Sequence, residues 1–139
     1  MKADKKAELD RVWQRLVGLV MDSRGDWKRN VAEATGLPFS RVRALRRLGD
    51  GPLTLVALAQ SMGSDAPAAT VAVNDLERRG LVERRPHPED RRAKLVSLTA
   101  AGKRTLQAAR RVRDDAPVAL TALSSSDVEA LARMLEKLA

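Results

Sequence analysis

The 139-residue sequence is basic and mostly aliphatic, with a net charge of +8, no cysteine and one histidine. A strong positive charge favours an anionic partner, usually nucleic acid or a membrane surface. The lack of cysteine excludes disulfides and thiol-based sensing, and a single histidine cannot anchor a metal site. No apolar run approaches the ~20 residues of a membrane span, and no signal-peptide core follows the basic residues 1–6. We therefore expect a cytoplasmic protein with no membrane partner, metal, cofactor or enzyme activity.

The first part of the chain predicts a long amphipathic helix. Apolar side chains recur there at spacings of three and four residues, at Leu9, Val12, Trp13, Leu16, Val17 and Val20. This period places them on one face of a helix. Gly25 is expected to kink or end the helix, and residues 31–35 to continue it as far as Gly36. A second helix is expected to begin near Pro38, with its arginines on the outer face.

Residues 38–100 predict a winged helix-turn-helix. Thr54 has the features of an N-cap for a helix that Gly63 ends, and Asp65 caps the helix that follows. Two alternating segments, residues 81–85 and 93–98, flank a polar turn and predict a β-hairpin. Two helices joined by a short glycine-containing turn, with a hairpin behind them, form a winged helix-turn-helix. The predicted fold class is therefore mainly α with a small β-hairpin wing.

Two further helices are predicted after the hairpin. Thr99 caps a long one that should continue to a break at Pro117, and Ser124 caps the last one. The inward residues of the long helix are expected to be Leu106, Ala109, Val112 and Ala116. The predicted organisation is a helical dimerisation region, residues 1–37 plus 101–139, and a DNA-binding lobe, residues 38–100, within one continuous domain.

Several stretches, in this order, resemble the MarR (multiple-antibiotic-resistance regulator) family of transcriptional regulators. They are GLPFSRVRALRRL, PLTLVALAQSMG, the helix leading into ERRGLVERRP, and PEDRRAKLVSLTAAG, and together they cover roughly residues 37–106. Asp90 and Arg92 match the Asp-x-Arg motif of the family's wing, followed at the usual distance by Gly102. The resemblance implies a regulator of transcription that binds double-stranded DNA.

The resemblance also implies a homodimer whose terminal helices interleave and which binds a palindromic operator. Apolar stripes on the first and last helices, more than the winged lobe can cover, agree with this. The predicted dimer-interface residues are Leu9, Val12, Leu16, Val128, Leu131, Leu135 and Leu138. The alternative is that these helices fold back on their own chain.

The recognition helix is expected to lie in the major groove. Its candidate DNA-binding residues are Pro67, Ala68, Thr70, Val71, Asn74 and Arg78. Val71 stands where the family often has an arginine, and apolar side chains can contact a thymine methyl group, while Asn74 could read adenine with two hydrogen bonds. The alternatives are a local backbone hydrogen bond for Thr70, and a phosphate contact or solvent for Asn74.

The wing is expected to enter the minor groove, where a narrow groove concentrates negative potential and attracts a guanidinium. The candidate wing residues are Arg84, Arg85, Asp90, Arg91, Arg92 and Lys94. Asp90 should orient a wing arginine or the hairpin turn, because a bare anion would be repelled by DNA. The alternative is a solvated hairpin tip.

The resemblance further implies a repressor that a small aromatic or anionic ligand releases from DNA. Three aromatic residues, Trp13, Trp27 and Phe39, could line the ligand cleft; a plain core role is the alternative. Two other functions stay open at this point. One is a DNA-binding protein without an effector, and the other is a winged-helix protein-interaction module.

Overall fold

The structure is a computed structural model that describes residues 2–139. Helix α1 spans Ala3–Thr35 without interruption, so the prediction that Gly25 ends it was wrong. A single glycine costs a helix only about 1 kcal/mol, and the buried Val31 anchors the far end of α1 in the core. The helix ends where predicted, at Gly36, whose φ of 68° is the left-handed conformation that favours glycine.

Three helices form the centre of the molecule: α2 (Phe39–Leu48), α3 (Leu55–Met62) and α4 (Ala66–Arg78). The predicted caps are confirmed. The Thr54 side chain accepts a hydrogen bond from the Ala57 amide, and the Asp65 side chain accepts one from the Ala68 amide. Gly63 ends α3 with a φ of 62°, which allows the tight turn into α4. Helices α3 and α4 are therefore the two helices of the motif.

The wing belongs to a three-stranded antiparallel sheet in the order β1-β3-β2, with β1 Leu53–Thr54, β2 Val82–Pro86 and β3 Lys94–Leu98. The predicted hairpin of β2 and β3 is confirmed, with Val82 opposite Leu98 and Pro86 opposite Lys94. Strand β1 was not predicted, because a two-residue strand is too short to show alternation. It places the start of α3 against the wing.

One aliphatic core joins all of these elements. Val31 of α1, Leu45 of α2, Leu58 of α3, Val73 and Leu76 of α4 and Val96 of β3 are fully buried. Burial of such side chains stabilises a fold by about 1.5–3 kcal/mol each. Because Leu106 and Ala109 complete the same core, the winged lobe and the base of the terminal helices form one packed unit.

The C-terminal part differs from the prediction. Helix α5 spans Ala100–Arg110, so it ends about six residues earlier than expected, and Ala116 is exposed rather than inward. Irregular chain and a short 3₁₀ helix, Val118–Ala122, lead to α6, Ser125–Glu136. The predicted Ser124 cap is confirmed, and Asp127 completes a capping box. Within residues 2–139, none of the helices combines the length and hydropathy that a membrane span requires.

Candidate nucleic-acid interface

The wing tip is built by hydrogen bonds within the turn between β2 and β3. The Asp90 carboxylate accepts a hydrogen bond from the Arg92 amide at 3.0 Å, and the Ala93 amide donates to the Asp90 carbonyl at 3.1 Å. The His87 amide donates to the Ala93 carbonyl, and His87 Nδ1 accepts from the Glu89 amide. Asp90 therefore holds the backbone of the turn, which is one of the two roles expected for it.

The basic residues near the wing tip differ in whether an acidic residue pairs with them. Arg91, Arg92 and Lys94 are exposed, and no acidic residue forms an ion pair with any of them in the part of the chain that the structure describes. Arg85 is paired with Glu83 at 2.6 Å. Only the first three side chains thus present uncompensated positive charge.

Helix α4 places its predicted residues on two kinds of surface. Pro67, Ala68 and Val71 are exposed near its N-terminal end, and Val71 is 59% accessible. The Thr70 hydroxyl donates to the Ala66 carbonyl at 3.0 Å, the local hydrogen bond that was the alternative for this residue. The exposed start of α4 is consequently apolar.

Arg84 contacts the recognition helix instead of pointing away from the wing. Its Nη2 donates to Asn74 Oδ1 at 2.6 Å, and its Nη1 lies 3.4 Å from Glu77 Oε1. The side chain is only 22% exposed, and its Nε is buried without a hydrogen-bond partner. Arg84 therefore connects β2 to α4, a contact that the ten-residue separation in sequence did not reveal.

Asp75 is a second connection that sequence reasoning missed. Its carboxylate accepts hydrogen bonds from Arg41 Nε of α2 at 2.8 Å and from Arg79 Nε at 3.1 Å, and Arg78 lies 3.5 Å away. Hydrogen bonds from Arg41 and Arg79 lower the pKa of Asp75 from its ordinary 3.8 to about 2. The carboxylate thus fastens α4 to α2, and it compensates part of the charge of Arg78.

A groove of about 400 Å³ lies between the start of α3 and the wing. Its lining residues are Thr54, Leu55, Val56, Arg84, Arg92, Ala93 and Lys94. Val56 is an exposed apolar side chain, 61% accessible, beside two exposed cations. The combination of a helix N-terminus, Arg92 and Lys94 suits an anion such as a phosphate.

The predicted aromatic residues are only partly brought together. The rings of Trp27 and Phe39 meet edge to face with centroids 5.3 Å apart, and both pack against the core. Trp13 lies 14 residues earlier on the same helix, about 21 Å away along its axis. It is 66% exposed. Within one chain, therefore, Trp13 does not share a site with the other two.

Two arginines lie over the Trp27 ring. The guanidinium carbons of Arg24 and Arg46 are 4.6 Å and 5.0 Å from its centroid, distances typical of cation–π contacts. Arg24 also binds Asp114 with both nitrogens, which lowers the pKa of that carboxyl. Arg46 Nε is buried without a hydrogen-bond partner. A cleft of about 400 Å³ opens here between α1, α2 and the end of α5.

The terminal helices expose the predicted interface stripes. Leu9, Val12 and Leu16 of α1 are exposed, and so are Val128 and Leu135 of α6, while Leu131 is half-buried. Leu138, just beyond α6, is exposed as well. Helix α6 packs extensively against no other helix or strand of residues 2–139. Contiguous exposed apolar faces of this kind are typical of surfaces that another protein covers.

Comparison with known proteins agrees with this architecture. A family model described as the MarR family matches residues 35–93. An HTH-type transcriptional regulator of Mycobacterium tuberculosis is 38% identical over 78 residues, which are 55% of this chain and 54% of that protein. The chain therefore spans about half the length of the curated relatives that it matches.

Two crystal structures are similar over most of the chain. A probable transcriptional regulator from Pseudomonas aeruginosa is 32% identical with a TM-score of 0.61, covering 86% of this chain and 93% of that one. A variant of MarR from E. coli, in complex with operator DNA, is 25% identical with a TM-score of 0.65. The second similarity covers 89% of this chain and 93% of that one.

Proposed function

The chain belongs to the MarR family of transcriptional regulators, and we propose that it is a homodimeric repressor that binds a palindromic DNA operator. In this proposal α4 lies in the major groove and the wing lies in the adjacent minor groove. The similar E. coli protein crystallised in complex with operator DNA supports DNA binding by this fold. Three points, taken in turn, support the proposal: the wing, the phosphate contacts and the dimer.

The wing tip is the observation that carries the proposal. Arg92 is exposed and without an ion-pair partner among the described residues, and its backbone amide is held by Asp90 at 3.0 Å. A free guanidinium on a fixed turn suits the negative potential of a narrow minor groove. Because the turn is already ordered, little conformational entropy is lost when DNA binds.

Phosphate contacts would supply much of the affinity. Residues 38–100 carry a net charge of +4, and the groove between α3 and the wing gathers Arg92 and Lys94 beside the start of a helix. Each neutralised phosphate releases counterions, so binding should weaken steeply with salt. Exposed apolar residues such as Val56 and Val71 would instead lie against base methyl groups or sugars.

The homodimer follows from the exposed stripes of α1 and α6. A second copy of the chain would cover Leu9, Val12 and Leu16 together with Val128 and Leu135. Burial of this apolar surface would stabilise the dimer by about 25 cal/mol per Å². A two-fold dimer presents two recognition helices and two wings, which matches the symmetry of a palindromic operator.

The proposal is tested by selecting an operator from random duplex DNA and measuring affinity by fluorescence anisotropy at two salt concentrations. A dimer presents the wing twice, so Arg92→Ala should weaken operator binding roughly 30- to 1,000-fold, with a shallower salt dependence. Arg11→Ala removes the same charge on an exposed part of α1 and is the matched control.

Asp90→Ala separates an orienting role from simple electrostatics. Removing a negative charge beside DNA should strengthen binding if charge alone mattered. Because the Asp90 carboxylate holds the Arg92 amide, we expect weaker binding instead. Wild-type affinity of Arg92→Ala, or tighter binding by Asp90→Ala, would show that the wing does not act in this way. A protein with no salt-dependent duplex binding would instead be a protein-interaction module.

Release by a ligand is the second part of the proposal, and the cleft beside Trp27 supports it. Arg24 and Arg46 both lie over the Trp27 ring; Arg24 is paired with Asp114, whereas Arg46 forms no ion pair in residues 2–139 and its Nε has no hydrogen-bond partner. An aromatic carboxylate could accept hydrogen bonds from the Arg46 guanidinium and pack beside the Trp27 ring. Because the cleft lies between α1, α2 and the end of α5, a bound ligand would change the angle between the terminal helices and the winged lobe.

Benzoate and benzamide make a matched pair of probes, since they share a ring and differ in charge. In a Trp13→Phe background, benzoate should quench Trp27 fluorescence and weaken operator binding, whereas benzamide should do neither. Arg46→Met should abolish both effects of benzoate. Operator affinity that is unchanged by saturating benzoate would favour a DNA-binding protein without this class of effector.

A further inference from the structure

We infer that Arg84 sets the base preference of Asn74, so that the recognition helix selects the keto bases guanine and thymine at the position that Asn74 contacts. The inference rests on the proposed binding of α4 in the major groove. It replaces the sequence-based expectation that Asn74 reads adenine with two hydrogen bonds.

The orientation of the Asn74 amide follows from the chemistry of its neighbour. An arginine guanidinium carries five N–H donors and no acceptor. The Asn74 atom that lies 2.6 Å from Arg84 Nη2 must therefore be the carbonyl oxygen, because an amino group there would oppose donor to donor. The amino group of Asn74, bonded to the same carbon, is directed away from Arg84 on an exposed residue.

The hydrogen bond between Arg84 and Asn74 is costly to break. Arg84 is 22% exposed, and its buried Nε has no hydrogen-bond partner in residues 2–139. If Asn74 turned its oxygen toward DNA, Arg84 would retain only the longer contact to Glu77, at 3.4 Å. Losing the short hydrogen bond of a partly buried guanidinium whose Nε is already unpaired is costly, so the amide should keep its orientation on DNA.

A fixed orientation restricts which bases Asn74 can read. Adenine recognition needs an acceptor for the N6 amine together with a donor for N7. Because its oxygen faces Arg84, Asn74 presents its amino group, which only donates, on the side away from Arg84. Guanine O6 and N7 and thymine O4 are acceptors in the major groove, whereas adenine places its N6 amine beside its N7 acceptor and cytosine presents an amine. Asn74 should therefore favour guanine and thymine over adenine and cytosine.

Val71, next to Asn74 on the helix surface, favours thymine among the bases that this part of α4 contacts. It precedes Asn74 by three residues, so the two side chains are neighbours on one helix face. Val71 is 59% exposed and apolar, and the thymine methyl is the apolar group of the major groove. The exposed face of α4 thus combines a methyl contact with a donor.

The test compares base preferences of variants on random duplex DNA. Asn74→Ala locates the contacted base pair, because preference should relax at one position in each half-site. There the wild type should prefer guanine or thymine over adenine by roughly 5- to 10-fold. Arg84→Met should free the amide and shift the ratio toward adenine by about tenfold, with preferences at the other positions unchanged.

Two further variants sharpen the test. Asn74→Asp keeps an oxygen toward Arg84 and replaces the outer amino group by an acceptor, so preference should switch to cytosine or adenine even if Arg84→Met folds poorly. Arg85→Met removes the same charge from the next residue, which is paired with Glu83, and should weaken binding evenly without changing preference.

Adenine selected by the wild type at the Asn74 position would overturn the inference. So would an Asn74→Asp protein that retains the wild-type preference, or an Asn74→Ala protein that relaxes no position. A folded Arg84→Met protein with unaltered preference would do the same. These failures are distinct from failure of the proposed function, in which the wild-type protein would select no sequence at all.

Discussion

Gly102 is where the wing joins helix α5, and the junction has no room for a side chain. A Cβ atom at this residue would lie 2.0 Å from the carbonyl oxygen of Leu81 and 3.0 Å from its carbonyl carbon. The Leu81 backbone cannot withdraw easily, because its amide donates to the Leu76 carbonyl and its carbonyl accepts from the Thr99 amide. Gly102→Ala must therefore displace α5 from the base of the wing by more than 1 Å.

The size of the effect follows from three contributions. Overpacking a well-filled site costs about 1–3 kcal/mol. Loss of the hydrogen bond between Thr99 and Leu81 would leave a partly buried polar group, at about 1–3 kcal/mol. Alanine regains about 1 kcal/mol because it is a better helix former than glycine. The net expectation is a loss of about 1–5 kcal/mol, which lowers Tm by roughly 3–17 °C.

Gly25→Ala is the matched control for this substitution. Gly25 also lies in a helix, but nothing approaches its Cβ position within 4 Å. It follows Leu16 by nine residues, two and a half turns, and so lies on the face opposite the apolar stripe of α1. Here alanine should stabilise the protein by about 0.5–1 kcal/mol.

Thermal and urea unfolding, followed by circular dichroism at one protein concentration, measure both variants. A fixed concentration is needed because the Tm of a dimer depends on it. A Gly102→Ala protein as stable as the wild type would refute this reasoning, because α5 and the Leu81 backbone would then separate without any loss of stability.

Three further predictions concern assembly, pH and sensing. The double variant Leu131→Asp, Leu135→Asp should sediment as a monomer and should no longer bind the operator. Arg133→Asp, on the opposite face of α6, should leave the dimer intact. A wild-type protein that is monomeric at micromolar concentration would contradict this prediction. The pKa of Asp75 is lowered to about 2, so its stabilising effect is complete above about pH 4 and is lost as pH falls toward 2. Asp75→Asn should therefore be less stable to urea than the wild type at pH 7, and the difference in stability should shrink between about pH 4 and pH 2. A difference that stays constant with pH would argue against this prediction. Peroxide and chelators should leave operator affinity unchanged, because the sequence has no cysteine and one histidine; a marked loss of binding with either would indicate a redox or metal sensor.

Several local features could be predicted from the sequence because they depend on residues close together in the chain. Thr54, Asp65 and Ser124 cap helices through hydrogen bonds that span three residues, and each is where the sequence placed it. The hairpin of the wing follows from alternation on both sides of a polar turn. The Asx-type contact of Asp90 is equally local, and the turn-holding role expected for it was confirmed.

Other features depend on balances that a pattern does not display. Gly25 was expected to interrupt α1, yet the packing of Trp27 and Val31 against the core outweighs its cost. Helix α5 was expected to reach Pro117, but residues after Arg110 leave the helix and bring Asp114 to Arg24. In both cases the local sequence signal did not decide how far the helix extends.

The sequence by itself determined the order of the elements, the buried faces of the helices and the position of the wing, since each is encoded within a few residues of the chain. Only the tertiary structure decided which charges are free. The sequence placed both Arg84 and Arg92 among the wing arginines, but the fold packs the first, only 22% exposed, against Asn74 and Glu77 and leaves the second exposed. Arg41 and Asp75 are 34 residues apart and form an ion pair only because α2 packs against α4. The physical reason is that charge pairing depends on distance in space, which the chain reaches only when its core has formed.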